Sequence, residues 1–258
     1  MSGGERIALV RRPSSRLAEG LVTHLDRVPV NVELALSQHD AYRAALAAAG
    51  WEVREVEPAD DCPDSVFVED ALVVCDDLAV LTRSGAPERR GERPGAERAA
   101  RELGLRTAAV EPPGCLDGGD VLQVGAAVYV GRGGRTNASG IRQLRALLEP
   151  LGRRVIPVRL RAVLHLKSAV TALPDGTFLA LPDLFEPGAI PAARPVEEEA
   201  GCHVVPLGGD EVLISASAPR TAGFLDDLGY RVRVVDIGEF EKLEGCVTCL
   251  SVLVPAPR

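Results

Sequence analysis

The sequence predicts an α/β fold in which five strand–strand–helix–strand modules close into a ring around a pseudo-fivefold axis. Three observations carry that reading. Apolar hairpins recur around turn residues: Ala71 to Val74 and Leu78 to Thr82 around Cys75-Asp76-Asp77, Val121 to Val124 and Ala127 to Gly131 around Gly125, and Ala169 to Leu173 and Thr177 to Leu181 around Pro174-Asp175-Gly176. The residues that open these units, Asp70, Asp120, Ser168 and, beyond a looser copy, Ser251, have a spacing near the roughly 40–50 residues of propeller-type arrays. The final copy has one strand left, and the N-terminal strand Ile7 to Val10 is its natural partner, which joins the two ends of the chain.

The elements follow in order. Ile7 to Val10 is a buried strand ended by Pro13-Ser14-Ser15, and residues 16–36 read as a loop and a helix start. Ser37-Gln38-His39-Asp40 opens a helix through Ala49 that Gly50 stops, and Trp51 to Val56 alternates as a strand. After the first two hairpins come a helix (Gly95 to Leu103, Asn137 to Leu148) and a strand (Arg106 to Val110, Arg154 to Val158). The helix and outer strand of the third module fall in 186–204, where the pattern defines them poorly. The looser fourth copy runs from Cys202 to Ser215, with a helix near Arg220 to Leu228 and the strand Tyr230 to Val235. Glu244 to Val254 reads as the last strand, with Cys249 at its mouth. A generic α/β sandwich gives similar alternation.

At 258 residues the chain suits one domain, 1–258, or two small ones. Its six cysteines, Cys62, Cys75, Cys115, Cys202, Cys246 and Cys249, are scattered, and the apolar stretch Ile7 to Val10 is too short for a signal peptide, so a reducing cytoplasm is expected. No apolar run approaches the roughly 20 residues of a membrane span. A net charge of −8 and few aromatics argue against a nucleic-acid surface. A small, cationic ligand fits that balance better.

A ring brings the residues before each first strand to one axial mouth: Asp70, Asp117 and Asp120, His165 and Lys167, and Cys249. A cysteine and a histidine are the minimum for thiolate catalysis, and carboxylates beside them suit a planar guanidinium, which a pair of them holds bidentately. By pattern alone each has a plainer alternative. Cys249 leading into an apolar strand also reads as inert packing, His165 between Leu164 and Leu166 as a strand-end histidine, and Glu69, Asp70 and Asp117 as turn or cap residues. Arg89 and Arg135 lie in polar or Gly-rich loops, where arginines are usually solvated. Cys246-x-x-Cys249 is a competing motif for a redox disulfide or half a zinc site, although no second ligand pair lies at zinc spacing.

Six motifs in chain order change that balance: Asp64-Ser-Val-Phe-Val-Glu69-Asp70, Thr82 to Arg90, Leu116-Asp117-Gly-Gly-Asp120, Arg135-Thr-Asn137, Leu164-His165-Leu-Lys167-Ser168 and Thr248-Cys249-Leu-Ser251. Together they resemble the dimethylarginine dimethylaminohydrolases, within the guanidine-modifying enzymes built on the five-bladed α/β-propeller, or pentein, fold. The resemblance covers nearly the whole chain. It implies hydrolysis of dimethyl-L-arginine, and of monomethyl-L-arginine, to L-citrulline and the amine through a covalent thiouronium, with no metal or cofactor.

In that resemblance Cys249 is the nucleophile, His165 the general acid and base, and Asp117 the residue that orients it. Glu69 and Asp70 help hold the guanidinium. Asp64, Arg89 and Arg135 bind the amino-acid end, and Leu21, Leu243 and Glu244 fall at substrate contacts, Glu244 where relatives often carry Asp. The implied partner is a small molecule, with a homodimer as the assembly left open. The rivals are an arginine deiminase or amidinotransferase with the same residues, and a thiol-redox or metal-binding protein using Cys246 and Cys249.

Overall fold

The computed structural model describes residues 6–255; the ends of the expected 1–258 domain, residues 1–5 and 256–258, lie outside the described residues. In chain order the elements are β1 (Ile7–Val10), α1 (Val32–Ala48), β2 (Glu52–Glu55), β3 (Leu72–Cys75), β4 (Leu78–Leu81), α2 (Arg93–Glu102), β5 (Arg106–Ala109), β6 (Val121–Val124), β7 (Ala127–Arg132), α3 (Ala138–Leu148) and β8 (Arg154–Arg159). They continue with β9 (Val170–Ala172), β10 (Phe178–Ala180), β11 (Arg194–Pro195), β12 (Val204–Gly208), β13 (Glu211–Ser215), α4 (Pro219–Asp227), β14 (Arg231–Val235), α5 (Gly238–Glu241) and β15 (Val252–Val254).

These strands form five three-stranded sheets, in the orders β15-β1-β2, β3-β4-β5, β6-β7-β8, β9-β10-β11 and β12-β13-β14. In each sheet an antiparallel pair is followed by a parallel one. A parallel pair needs a crossover, and α1, α2, α3 and α4 supply it in four of the five. Four of the five antiparallel pairs are hairpins, which turn tightly because a residue at positive φ sits in the turn, among them Asp76, Gly125 and Gly176.

The pairing of Ile7 with Val254 closes the ring as the sequence predicts. A central cavity of about 250 Å³ is lined by all five first strands, through residues that include Leu72, Val121, Thr171, Val204 and Val252. The core explains why closure is obligatory. Its apolar clusters each draw on two neighbouring modules: Leu9 and Val252 pack with Leu72 and Ala96, Val73 and Val80 with Val121 and Ile141, Leu122 and Tyr129 with Val170 and Phe178, Leu173 and Leu179 with Val212 and Leu225, and Val205 and Leu213 with Ala8 and Tyr42. A module removed from the ring leaves two apolar faces in water.

Three expectations change. Helix α1 begins at Val32 rather than Ser37, because Asn31 caps it by accepting the Leu34 N–H at 3.1 Å and Val32 to Leu36 already follow the helical path. The third module has no helix of its own between β10 and β11; Pro182, Pro187, Gly188 and Pro191 break that stretch, which holds a single 3-10 turn at Pro182–Leu184. The last strand starts only at Val252. Residues 244–251 are turns, tied by Gly245 N–H to Phe240 O (3.0 Å) and Cys249 N–H to Cys246 O (3.0 Å). No helix of the described residues is long and apolar enough to cross a membrane.

Candidate active site

A short turn leads into each first strand, and four of these turns carry the chemistry: Asp70 before β3, Asp117 and Asp120 before β6, His165 before β9, and Cys249 before β15. The fifth, before β12, carries His203, which no motif singled out; its Nε2 lies 3.0 Å from the Ser168 carbonyl. Position relative to the first strands was the signal that could have found it.

Leu21, Asp64, Asp70, Arg89, Arg135, His165, Leu243, Glu244 and Cys249 line one narrow cavity, closed further by Phe67, Leu164 and Gly245. Its free space is about 10 Å³, at most the room of one water. Two expected residues stand outside the lining. Asp117 lies behind the imidazole, its Oδ2 3.1 Å from His165 Nε2, while its Oδ1 accepts the Gly85 N–H at 3.0 Å. Glu69 turns the other way, drawn toward Lys167 and Thr248 from neighbouring modules. It lines the central cavity, where its carboxylate meets Lys167 Nζ at 2.5 Å and accepts the Thr248 hydroxyl at 3.1 Å. The acidic pair read from the sequence is therefore split, with only Asp70 facing the catalytic cavity.

His165 is clamped between carboxylates. Its Nδ1 lies 3.8 Å from Asp70 Oδ1, and Gly119 lets the ring approach: a Cβ there would stand 2.7 Å from Nδ1. Burial opposes a charged imidazole, but Asp70, Asp117 and Asp120 outweigh it and raise its pKa to about 9. Burial likewise works against the Asp70 charge, yet His165, Arg89 and the Gly119 N–H hold that carboxyl well below the usual range. Asp120, whose Oδ1 accepts the Leu166 N–H, is pushed up to about 6 by burial. The Cys249 thiol is pushed up by its hydrogen bond with Cys246, by burial and by the charges of Cys246, Glu69 and Asp70.

The two arginines differ. Arg89, 5% exposed, gives its Nη1 to Asp70 at 2.5 Å, its Nε and Nη2 to Glu92 at 2.7 and 2.8 Å, and Nη2 also to the carbonyls of Asp64 and Phe67. Its donors are engaged inside the protein. Arg135 has a buried Nη1 without a hydrogen-bond partner, 3.6 Å from Asp117 Oδ2. Glu92 was missed in the sequence, although its i, i+3 spacing from Arg89 was the available signal.

The roof of the cavity is the segment after Gly20. Asp64 accepts the Leu21 N–H with both oxygens, each at 3.1 Å, and Glu244 accepts the N–H groups of Thr23 (2.5 Å) and His24 (2.8 Å). Glu244 does this from a left-handed backbone conformation, φ 60°. Below the cavity, Tyr42 of α1 donates to Val247 O at 2.8 Å and pairs with Ser251 Oγ at 2.8 Å, fixing the turn that carries Cys249. Asp70, Asp117 and His165 offer ligand atoms within 4.8 Å of one another, so a metal ion has a place here only in competition with Arg89, Gly119 and Gly85, which already engage the carboxylates.

A closed ring of five sheets with cysteine, histidine and carboxylates at one axial mouth is the architecture of the α/β-propeller, or pentein, enzymes. No family model matches the chain. It is 62% identical over 246 residues to the N(G),N(G)-dimethylarginine dimethylaminohydrolase of Streptomyces coelicolor, covering 95% of both proteins. It is 35% identical over 251 residues to the Pseudomonas aeruginosa protein of the same name, covering 94% of this chain and 97% of that one. A solved structure of the P. aeruginosa protein, a cysteine-to-serine mutant complexed with citrulline, matches with a TM-score of 0.90 at 33% identity, over 98% of this chain and 100% of that one. The chain belongs to the dimethylarginine dimethylaminohydrolase family.

Proposed function

We propose that the protein hydrolyses Nω,Nω-dimethyl-L-arginine to L-citrulline and dimethylamine, and monomethyl-L-arginine to citrulline and methylamine. The observation that carries this is the convergence of Cys249, His165 and Asp70, from three modules, on one narrow cavity. Asp70 holds the guanidinium, with Glu69 contributing charge from behind through Thr248. Asp64, Arg135, Leu21, Leu243 and Glu244 receive the amino-acid end, and Arg89 joins them when it exchanges a protein partner for the substrate.

Binding a cation beside a thiol whose pKa is raised favours the thiolate. The Cys249 sulfur then attacks the guanidinium carbon, and protonated His165 gives its proton to the dimethylamine nitrogen as the C–N bond breaks. The product is a thiouronium on Cys249. Neutral His165 next takes a proton from water, the hydroxide adds to the same carbon, and collapse expels the thiolate, releases the hydroxyl proton to solvent and leaves the citrulline carbonyl. Asp117 keeps Nε2 occupied, so that one ring nitrogen does the proton transfer throughout.

The activity is assigned to one catalytic domain in the cytoplasm, where free thiols stay reduced. The test is mass spectrometry of products from asymmetric dimethylarginine, arginine and monomethylarginine offered side by side. Citrulline and dimethylamine should form with the wild type and not with Cys249→Ser. Ammonia from arginine at the higher rate would assign a deiminase instead.

A further inference from the structure

The reaction uses one sulfur of the Cys246-Cys249 pair and leaves the other without a task. Yet their Sγ atoms stand 3.2 Å apart, both side chains buried, in a turn held by the bond from Cys249 N–H to Cys246 O. The other cysteines are differently engaged. Cys62 and Cys202 bond to backbone carbonyls, Cys75 approaches Asp76, and Cys115 accepts from Arg83. A disulfide has an S–S length of about 2.05 Å, so the pair lies roughly 1 Å short of bonding distance.

The two sulfurs also differ in access. Cys249 lines the catalytic cavity, and Cys246 does not. A small oxidant that follows the substrate's route meets Cys249 first and Cys246 only through it.

We propose that Cys246 is a resolving thiol, which captures an oxidised Cys249 as an internal disulfide and so converts oxidation of the nucleophile into a reversible off state. The proposal rests on the assignment of Cys249 as the reactive sulfur. The oxidant is a small hydroperoxide. As the Cys249 sulfur attacks its terminal oxygen, the thiol proton passes along the hydrogen bond to the Cys246 sulfur; the O–O bond breaks, and the departing hydroxide or alkoxide takes that proton and leaves as water or an alcohol, giving a sulfenic acid on Cys249. The Cys246 thiolate then attacks the Cys249 sulfur and expels hydroxide, which takes a proton and leaves as water. Two thiols have lost two electrons and two protons, and the peroxide has gained them. A dithiol reverses the step by exchange.

The surroundings suit that division of labour. The Cys249 S–H bond to Cys246, working with the His203 charge and the Thr248 hydroxyl against burial, lowers the Cys246 pKa, so the resolving sulfur is the readier thiolate. Capture as a disulfide also forestalls the sulfinic acid, which ordinary thiols do not reverse.

The test treats the full-length wild type and Cys246→Ser with hydrogen peroxide, blocks remaining thiols with an alkylating reagent, and maps the peptides. In the wild type the Cys246-Cys249 peptide should be lighter by two hydrogens and unalkylated, with citrulline formation lost in step and restored by dithiothreitol. In Cys246→Ser, Cys249 should go on to the sulfinic acid, with a loss that dithiothreitol does not reverse. Sulfinic Cys249 beside alkylated Cys246 in the wild type, a disulfide at another cysteine, or two unmodified thiols would each overturn the proposal. The mapping needs no turnover, so it decides even if dimethylarginine is not the substrate, and the wild-type map decides alone if Cys246→Ser does not fold.

Discussion

His165 Nε2 and Asp117 Oδ2 stand 3.1 Å apart, and neither side chain is more than 3% exposed. With Asp70 and Asp120 nearby, the folded protein raises the His165 pKa from 6.5 to about 9. A raised histidine pKa gives stability that is fully present below 6.5 and is lost as pH rises through about 9, here about 3 kcal/mol. Thermal melts across this window should therefore show Tm falling toward alkaline pH, and less steeply for Asp117→Asn. A melting temperature that is flat from pH 6 to 10 would show that the ring is neutral in the free protein. The same pKa should appear as the alkaline limb of kcat/KM, since the departing amine needs the protonated ring.

Arg135→Ala and Arg89→Ala should fail in different ways. Arg135 has an Nη1 without a hydrogen-bond partner at the cavity, so its loss should raise KM for dimethylarginine much more than for a simple alkylguanidine without a carboxylate. Arg89→Ala strands Asp70 and Glu92 as buried charges and should destabilise the fold by about 3–5 kcal/mol. Denaturant unfolding separates the two, and an unchanged midpoint for Arg89→Ala would return that residue to substrate binding alone.

A cavity with about 10 Å³ of free space admits substrate only if a wall moves, and the segment from Leu21 to His24, held by Glu244 as a latch, is the expected mover. In Glu244→Gln the N–H groups of Thr23 and His24 lose a charged acceptor. Hydrogen exchange there should speed up roughly five- to tenfold, the equivalent of about 1 kcal/mol. Protection equal to wild type would place the latch elsewhere.

Deleting residues 1–12 removes β1, the middle strand of its sheet, together with Ala8, Leu9 and Val10 from the core. The lost burial alone amounts to roughly 5 kcal/mol, comparable with the whole stability of many domains. No cooperative melting transition should remain. A folded and active deletion variant would show that the ring stands open.

The hairpins were legible because their turns need particular residues: Asp76, Gly125 and Gly176 all sit at positive φ. The catalytic residues were legible because each precedes a first strand, and a ring converts that shared position into proximity. Less could be read where tertiary partners decide. The start of α1 depends on Asn31, six residues before the Ser37 opening read from pattern, and the third module replaces a helix with a proline-rich crossing. Glu69 and Asp70 are adjacent in sequence, so nothing local separates them; Lys167 and Thr248, brought from other modules, draw Glu69 away. The engagement of Arg89 by Glu92 likewise depends on a buried turn, in which Arg11 donates to the Glu92 carbonyl at 2.9 Å.

The β1–β15 pairing also sets when the enzyme can exist. During synthesis β1 leaves the ribosome long before β15, and until Ile7 meets Val254 the apolar surfaces on both sides of the gap have no cover. The nascent chain is thus a sticky arc and a natural client for chaperones. Such a distant contact closes slowly, so refolding should show activity and the final structural signal rising together in one late phase. Because Cys249 lies three residues before β15, the hydrolase is switched on by the event that hides its adhesive edges, and no partly made copy can turn over substrate.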